Sequence, residues 1–220
     1  MLNIAIDGPA GAGKSTVAKE LAKRLAITYL DTGAMYRAVA LKSIYLGVDV
    51  NDEEKVKAFL PSVDLDIRYV DGVQHVYLDG KDVSTEIREH RMSKAASDIS
   101  RIPAVRLQLV EMQRALAAKY DCVLDGRDIT SYVLPDANFK FFITASPEVR
   151  AERRRKELEA KGEIVDFAVL LDDIKKRDYN DSHRDFAPLV RTPDSFYIDT
   201  SDLSIEEVID KVVAIVEEKK

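Results

Sequence analysis

Gly8-Pro9-Ala10-Gly11-Ala12-Gly13-Lys14-Ser15 decides the reading of this 220-residue chain. The stretch fits G-x-x-x-x-G-K-[ST], in which glycines let consecutive backbone N–H groups turn toward one anionic ligand. Its flanks supply the context that the pattern needs. Leu2 to Ile6 read as a short buried strand entering the loop. Beyond it Val17, Leu21 and Leu25 recur every fourth residue, with Ala18 and Ala22 beside them, which predicts a helix. A helix N-terminus adds partial positive charge of its own. The segment is therefore expected to bind a nucleoside triphosphate. Lys14 is expected to reach the β and γ phosphates, Ser15 to offer its hydroxyl to Mg²⁺, and Thr16 to cap the α-phosphate.

Outward from this loop, short apolar runs alternate with helical patterns. Strand candidates are Leu2–Ile6, Thr28–Leu30, Cys122–Leu124, Lys140–Ile143 and Phe196–Ile198. In the last helical pattern Ile205, Val208, Ile209, Val212 and Val216 share one face, and Ser204 with Glu207 predicts a capping box at its start. Such alternation predicts an α/β fold: a five-stranded, mostly parallel sheet flanked by helices, with ligands outside the carboxyl ends of its strands. One segment breaks the rhythm. Val63, Leu65, Ile67 and Tyr69 alternate with Asp64, Asp66 and Arg68, Asp71-Gly72 reads as a hairpin turn, and Val73 to Leu78 as the returning strand. A small antiparallel element is thus inserted into the parallel core. A second irregularity is the run from Glu148 to Lys161, with Arg150, Arg153, Arg154, Arg155, Lys156 and Lys161 among four glutamates. It reads either as a solvated helix face or as an Arg-rich flap beside the phosphate site.

Composition bounds the options. The length suits one domain of moderate size, or a core with small inserted lobes. With 46% hydrophobic residues a packed core is available, and a net charge of −6 argues against general nucleic-acid binding. Phosphate binding must then come from locally clustered Arg and Lys. Cys122 is the only cysteine, which excludes an intrachain disulfide and a thiolate-rich zinc site. No apolar stretch approaches the ~20 residues of a membrane span. Since position 2 already begins a strand, a secretory leader is not expected, and the chain reads as a soluble, cytoplasmic monomer.

Arg and Asp recur wherever the sheet is expected to deliver them near the nucleotide. Asp31-Thr32-Gly-Ala-Met-Tyr-Arg37 follows the second strand and begins a helix, so Thr32 and Arg37 are expected to address one phosphate. Asp125-Gly126-Arg127-Asp128 follows the third core strand. Asp125 there either holds the metal or shapes the turn before Gly126; the sequence leaves both open. Asp7 reads as structural. Arg177, Asp181 and Arg184 are spaced to share one face of a helix. So many arginines suit a site that neutralises two polyphosphorylated groups brought face to face. Phosphoryl transfer between nucleotides poses that problem, and it is solved mainly by alignment and charge stabilisation. A phosphate acceptor is already deprotonated near neutral pH, so no general base is required.

The chain resembles the bacterial cytidylate kinases, within the nucleoside monophosphate kinases, over essentially its full length. The resemblance rests on Ile-Asp-Gly-Pro-Ala-Gly-Ala-Gly-Lys-Ser-Thr at 6–16, Leu-Asp-Thr-Gly-Ala-Met-Tyr-Arg at 30–37, Asp-Gly-Arg-Asp at 125–128, and Arg177 to Arg184 with Ala187-Pro188-Leu189. It implies a P-loop NTPase fold in one domain over 1–220, with a monophosphate-binding insertion at about 38–100 and a lid at about 148–165. It also implies ATP-dependent phosphorylation of CMP and dCMP with Mg²⁺. On this pattern Ser97, Arg106 and Asp128 would read the cytosine. Physics agrees: a carboxylate favours the N4 amine of cytosine over the O4 acceptor of uracil, and Arg106 suits N3 and O2. Asp181 would meet the sugar hydroxyls. Thr32, Arg37, Arg127, Arg177 and Arg184 would hold the acceptor phosphate and the group in flight, with Lys14, Arg127, Arg177 and Arg184 catalytic. Arg154, with its neighbours at 150–155, would belong to the lid over ATP.

One departure stands out. After Asp128 the family commonly shows Ile-Gly-Thr-Val-Val-Phe-Pro, whereas this chain has Ile129-Thr130-Ser131-Tyr132-Val133-Leu134-Pro135. Thr130 in place of glycine is expected to restrict the backbone near the base pocket. A P-loop switch protein is disfavoured, since neither Asn-Lys-x-Asp nor Asp-x-x-Gly occurs. UMP, AMP or another small acceptor remains the alternative to CMP.

Overall fold

The computed structural model describes residues 1–160 and 162–219. Lys161, the last residue of the charged run, lies outside the described residues. The chain forms two compact units, Met1–Tyr29 with Tyr120–Lys220, and Leu30–Lys119. The boundary falls inside strand β2.

The first unit is built on a parallel sheet. Its strands are β1 (Asn3–Asp7), β2 (Thr28–Asp31), β6 (Cys122–Gly126), β7 (Phe139–Thr144) and β8 (Phe196–Asp199), in the order β2-β6-β1-β7-β8. All five expected strands exist, each within a residue or two of its expected ends. β1 pairs in parallel with β6 on one side (Ile4 opposite Val123) and β7 on the other (Ile4 opposite Phe139), and β7 pairs in parallel with β8. β2 enters at its start, where the Thr28 N–H donates to the Asp121 carbonyl at 2.9 Å. The chain leaves β1 toward one side of the sheet and β7 lies on the other. The loop after β1 therefore opens at the switch point of strand order, where such sheets bind ligands.

Helices α1 (Lys14–Leu25) and α8 (Ile205–Glu218) pack on this sheet. Val17 and Leu21 of α1 meet Ile4, Ile6, Phe141 and Ile143 of the strands and Val208, Val212 and Val216 of α8 in one buried cluster. These are the residues whose spacing predicted the two apolar faces. The capping box at α8 is present: the Ser204 hydroxyl accepts from the Glu207 N–H, and the Glu207 carboxylate accepts from the Ser204 N–H. Helices α6 (Pro147–Glu159) and α7 (Phe167–His183) form a smaller cluster around Ala151, Leu158 and Leu170.

The second unit gathers around α2 (Thr32–Tyr45), whose Ala34, Met35, Ala38, Val39, Ala40 and Leu41 are all buried. A helix apolar around its whole girth is a central one. α3 (Glu53–Phe59), α4 (His90–Ile99) and α5 (Pro103–Ala117) complete its helices. The expected hairpin is β3 (Leu65–Val70) and β4 (Val73–Leu78), in antiparallel register from Leu65 opposite Leu78 to Val70 opposite Val73. Asp71 and Gly72 both adopt positive φ, 50° and 75°, which is the turn that suits the twist of a two-residue hairpin. A third strand, β5 (Lys81–Asp82), was not legible because two exposed charged residues carry no apolar alternation.

Candidate nucleotide site

The loop at 8–15 joins β1 to α1. Gly8 is obligatory: a Cβ there would lie 1.8 Å from the Ile143 carbonyl oxygen. Gly13, at φ 88°, is the N-cap of α1 and turns the chain into the helix without a side-chain cap. Several loop carbonyls are claimed by donors. Arg150 Nη1 donates to Ala10 O (3.1 Å), Thr200 Oγ1 to Ala12 O (3.3 Å), and the Thr16 and Val17 N–H groups to Gly13 O (both 3.1 Å). In a planar trans peptide the next N–H points opposite its carbonyl. The N–H groups of Gly11, Gly13 and Lys14 are thereby turned away from those donors, as an anion cradle requires.

Lys14 is buried and donates Nζ to Pro9 O at 2.7 Å. Burial pushes its pKa well below that of an ordinary lysine, and the Arg127 charge pushes the same way. Arg177 adds to this, while Asp125 and Asp7 oppose it. A cation held where its charge is disfavoured gains strongly from an arriving polyphosphate. Ser15 Oγ donates to Asp125 Oδ2 at 2.7 Å, and Tyr29 Oη donates to Asp125 Oδ1 at 2.9 Å. Thr16 lies exposed beside Ser15 on the first turn of α1.

Arg127, Arg177 and Arg184 gather around Asp181, and the first two also act on Lys14. Asp181, on α7, is buried and receives Arg127 Nε at 2.8 Å, with Arg184 Nη1 3.9 Å away. Burial alone would raise the Asp181 carboxyl, but Arg127, Arg177 and Arg184 outweigh it and hold the pKa below the usual value. Arg184 Nη2 also lies 3.9 Å from Asp128 Oδ1. One detail of the expectation is corrected. α7 ends at His183, and Arg184 sits past it in extended backbone, so it shares no helix face with Arg177 and Asp181. Its guanidinium is steered instead by donating Nε to the Ala187 carbonyl at 2.6 Å.

The residues at 150–155 divide into two kinds. Arg150 is buried, with Nη1 and Nη2 on Asp178 at 3.0 and 2.6 Å and Nε on the Ala145 carbonyl. Arg153 donates to Thr200 Oγ1 and O. Arg154 pairs with Glu157, and Arg155 with Glu152 and Glu159, on the surface of α6. Arg150 and Arg153 thus brace the loop and its surroundings, which charge density alone does not distinguish from a flap. Asp178 and Thr200, their partners, carry no sequence signal of a role.

In the second unit, Asp31 caps α2 by accepting from the Ala34 N–H at 2.9 Å. Burial would raise its pKa, yet Arg88 (Nη2 to Oδ2, 2.6 Å) and Arg37 (Nη1 to Oδ2, 3.9 Å) hold it below the usual value. Thr32 is buried at the first position of the same helix. Arg88 was missed, since its short surrounding helix follows no periodic pattern. Arg106, on α5, is buried with Nη1 donating to Ser100 O (3.1 Å) and its guanidinium 5.4 Å from the Tyr36 ring centre. Ser100 Oγ in turn donates to Ser97 O at 2.8 Å, so Ser97 and Arg106 are linked through Ser100 at the α4–α5 corner.

Thr130 does not strain the backbone. The left-handed non-glycine positions among the described residues are Ala26, Asp71, Asp79 and Ala187. Thr130 instead lies in a short π-helical turn, Ile129–Val133, and donates Oγ1 to Asp7 Oδ2 at 2.7 Å.

A parallel sheet in this order, a glycine loop on its central strand and an arginine cluster beside the loop lysine define a P-loop phosphotransferase. The fold is shared with a shikimate kinase structure from Bacteroides thetaiotaomicron (TM-score 0.51, 16% identity, 98% of each chain). An uncharacterised protein from Eubacterium ventriosum is similarly alike (TM-score 0.54, 16% identity, 99% of each chain). Residues 4–218 match the cytidylate kinase family model, and the chain belongs to that family. It is 52% identical to a cytidylate kinase of Caldicellulosiruptor bescii over 97% of this chain and 95% of that protein. A cytidylate kinase of Clostridioides difficile is 48% identical over 97% of both chains. ATP is accordingly the co-substrate. No described helix is long and apolar enough to cross a membrane.

Proposed function

We propose that this chain transfers the γ-phosphoryl group of ATP to CMP and dCMP, with the roles of its side chains as follows. The observation that carries the assignment of roles is the gathering of Arg127, Arg177 and Arg184 around Asp181 next to a lysine already crowded by positive charge. The loop Gly8-Pro9-Ala10-Gly11-Ala12-Gly13 and Lys14 take the ATP phosphates, with Ser15 and Thr16 at the helix start and Arg154 on the nucleotide's outer side. Arg127, Arg177 and Arg184 neutralise the acceptor phosphate and the group in flight, where charge spreads over the equatorial oxygens. Asp181 keeps these guanidinia in place and meets the sugar hydroxyls. In the second unit, Thr32 and Arg37 bind the acceptor phosphate and Ser97 and Arg106 bind the base; in the first, Asp128 takes the cytosine amine. The segment about 38–100 serves as the monophosphate-binding lobe and about 148–165 as the lid.

Ser15 and Asp125 suit a Mg²⁺ ion: one hydroxyl and one carboxylate held 2.7 Å apart, leaving further positions to water and phosphate oxygens. The ion would supply Lewis-acid charge stabilisation at the phosphates. A monomeric enzyme acting in the cytoplasm fits the family and the composition.

A coupled assay with CMP, dCMP, UMP and AMP as acceptors tests the reading. CMP and dCMP should be preferred by a wide margin. Equal kcat/KM for CMP and UMP would overturn the base-reading roles of Ser97, Arg106 and Asp128.

A further inference from the structure

Asp7 ends β1 one residue before the phosphate loop and is fully buried. Its carboxylate faces the turn after β6. Oδ1 accepts from the Ile129 N–H (2.9 Å), and Oδ2 accepts from both the Thr130 N–H (2.7 Å) and Thr130 Oγ1 (2.7 Å). These amides are the first two of the π-helical turn Ile129–Val133, whose N-cap residue is Asp128.

An aspartate at an N-cap ordinarily folds its carboxylate back onto the amides of its own first turn. Asp128 makes no such cap bond. Asp7 occupies the Ile129 and Thr130 amides from the neighbouring strand, the second being one that an N-cap side chain at 128 would take, and the Asp128 carboxylate lies instead 3.9 Å from Arg184 Nη2. The backbone of Asp128 is held from the other side, its carbonyl accepting from the Tyr132 and Val133 N–H groups at 2.9 and 3.0 Å. Asp7 thus acts as a surrogate cap. In this chain the cap has three donors, where a glycine at 130 would leave two.

We propose that Asp7 and Thr130 are positioning residues for Asp128: the buried Asp7 carboxylate, fixed by the Thr130 hydroxyl, displaces Asp128 from capping its own turn and aims it at the acceptor base. The pair therefore determines base specificity without touching substrate. This rests on the reading that Asp128 meets the cytosine amine. A hydrogen bond to a charged, buried partner is strong enough for its loss to move a neighbouring group measurably.

The test is a Thr130 series assayed with CMP and UMP. Thr130→Val keeps the volume and removes the donor, whereas Thr130→Ser keeps the donor. Thr130→Val should raise KM for CMP and reduce the CMP/UMP ratio of kcat/KM by roughly tenfold. KM for ATP should stay within about twofold, and Thr130→Ser should restore the ratio. A purely structural role would lower kcat with both acceptors equally and leave the ratio unchanged. Circular dichroism checks folding, and Thr130→Ala replaces the valine variant if that one fails to fold. Asp128→Ala is assayed in parallel to separate the two claims. If Asp128→Ala collapses the ratio while Thr130→Val and Thr130→Ala leave it intact, the positioning role is overturned. If Asp128→Ala itself keeps the ratio, the base-reading assignment is what fails, and this inference falls with it.

Discussion

Ser15 Oγ donates to Asp125 Oδ2 at 2.7 Å, joining the first turn of α1 to the end of β6 across 110 residues. The sequence left Asp125 undecided between metal ligand and turn former. The geometry gives it a place beside the loop hydroxyl, oriented by Tyr29 from the other oxygen. Asp125→Asn keeps the shape and removes the charge. The concentration of free Mg²⁺ giving half-maximal rate should then rise by about tenfold or more. An unchanged Mg²⁺ dependence would return Asp125 to a turn-shaping role.

Lys14 carries a charge that burial and Arg127 both disfavour before nucleotide arrives. Replacing it with methionine removes that unfavourable charge together with the phosphate contact. Lys14→Met should lose on the order of 10²-fold or more in kcat, while its thermal midpoint stays at or above that of the parent chain. Calorimetry beside single-turnover rates checks this. A midpoint several degrees lower would mean that Lys14 is mainly a structural cation.

Arg150 fixes the phosphate loop through Ala10 O and is neutralised by Asp178 in a two-pronged pair with only 3% of its side chain exposed. Removing one partner leaves a buried charge uncompensated, which costs about 3–5 kcal/mol. Asp178→Ala is therefore expected to unfold at distinctly lower urea concentration and to show a raised KM for ATP. Asp172→Ala, on an exposed turn of the same helix, serves as the control and should leave both nearly unchanged. Equal behaviour of the two variants would contradict the bracing role.

Asp7 sets a pH dependence of stability. Burial raises its pKa from 3.8 to about 6, with Asp128 adding to the effect and the Thr130 and Ile129 bonds opposing it. Between about pH 4 and pH 6 the folded chain keeps a proton that the unfolded chain has released. Asp7's contribution is thus fully present below about pH 4 and is lost as pH rises through 6, by on the order of 3 kcal/mol. Asp181, held below its ordinary value, works in the opposite sense: its contribution is present above about pH 4 and is lost at lower pH. Subtracting the unfolding free energies of Asp7→Asn from those of the parent chain across pH 4–7 isolates the first effect. A flat difference would show that Asp7 does not titrate in that range.

Most of this architecture could be read before any coordinates. Five strands, the hairpin with its Asp71-Gly72 turn and the α8 capping box all rest on local patterns, and each formed where its pattern lay. The failures share a physical cause. β5 has two exposed charged residues, and it is a strand through its pairing with β4. Arg184 leaves its helix because its own backbone turns extended (φ −71°, ψ 145°), which spacing does not report. Arg88, Asp178 and Thr200 act through partners 28 to 57 positions away from them in sequence, and a polar contact of that reach has no local signature. Thr130 was read as a backbone restriction; its hydroxyl found a buried acceptor more than a hundred residues distant instead.

The guanidinium groups around Asp181 are expected to act on the phosphoryl group in flight rather than merely neutralise one carboxylate. Pre-steady-state transfer from ATP to CMP by Arg177→Ala and Arg184→Ala measures this most directly. The transfer rate should fall by roughly 10²–10³-fold, with KM for ATP changed by no more than about threefold. A transfer rate within twofold of the parent enzyme, with the whole effect in substrate affinity or stability, would contradict it.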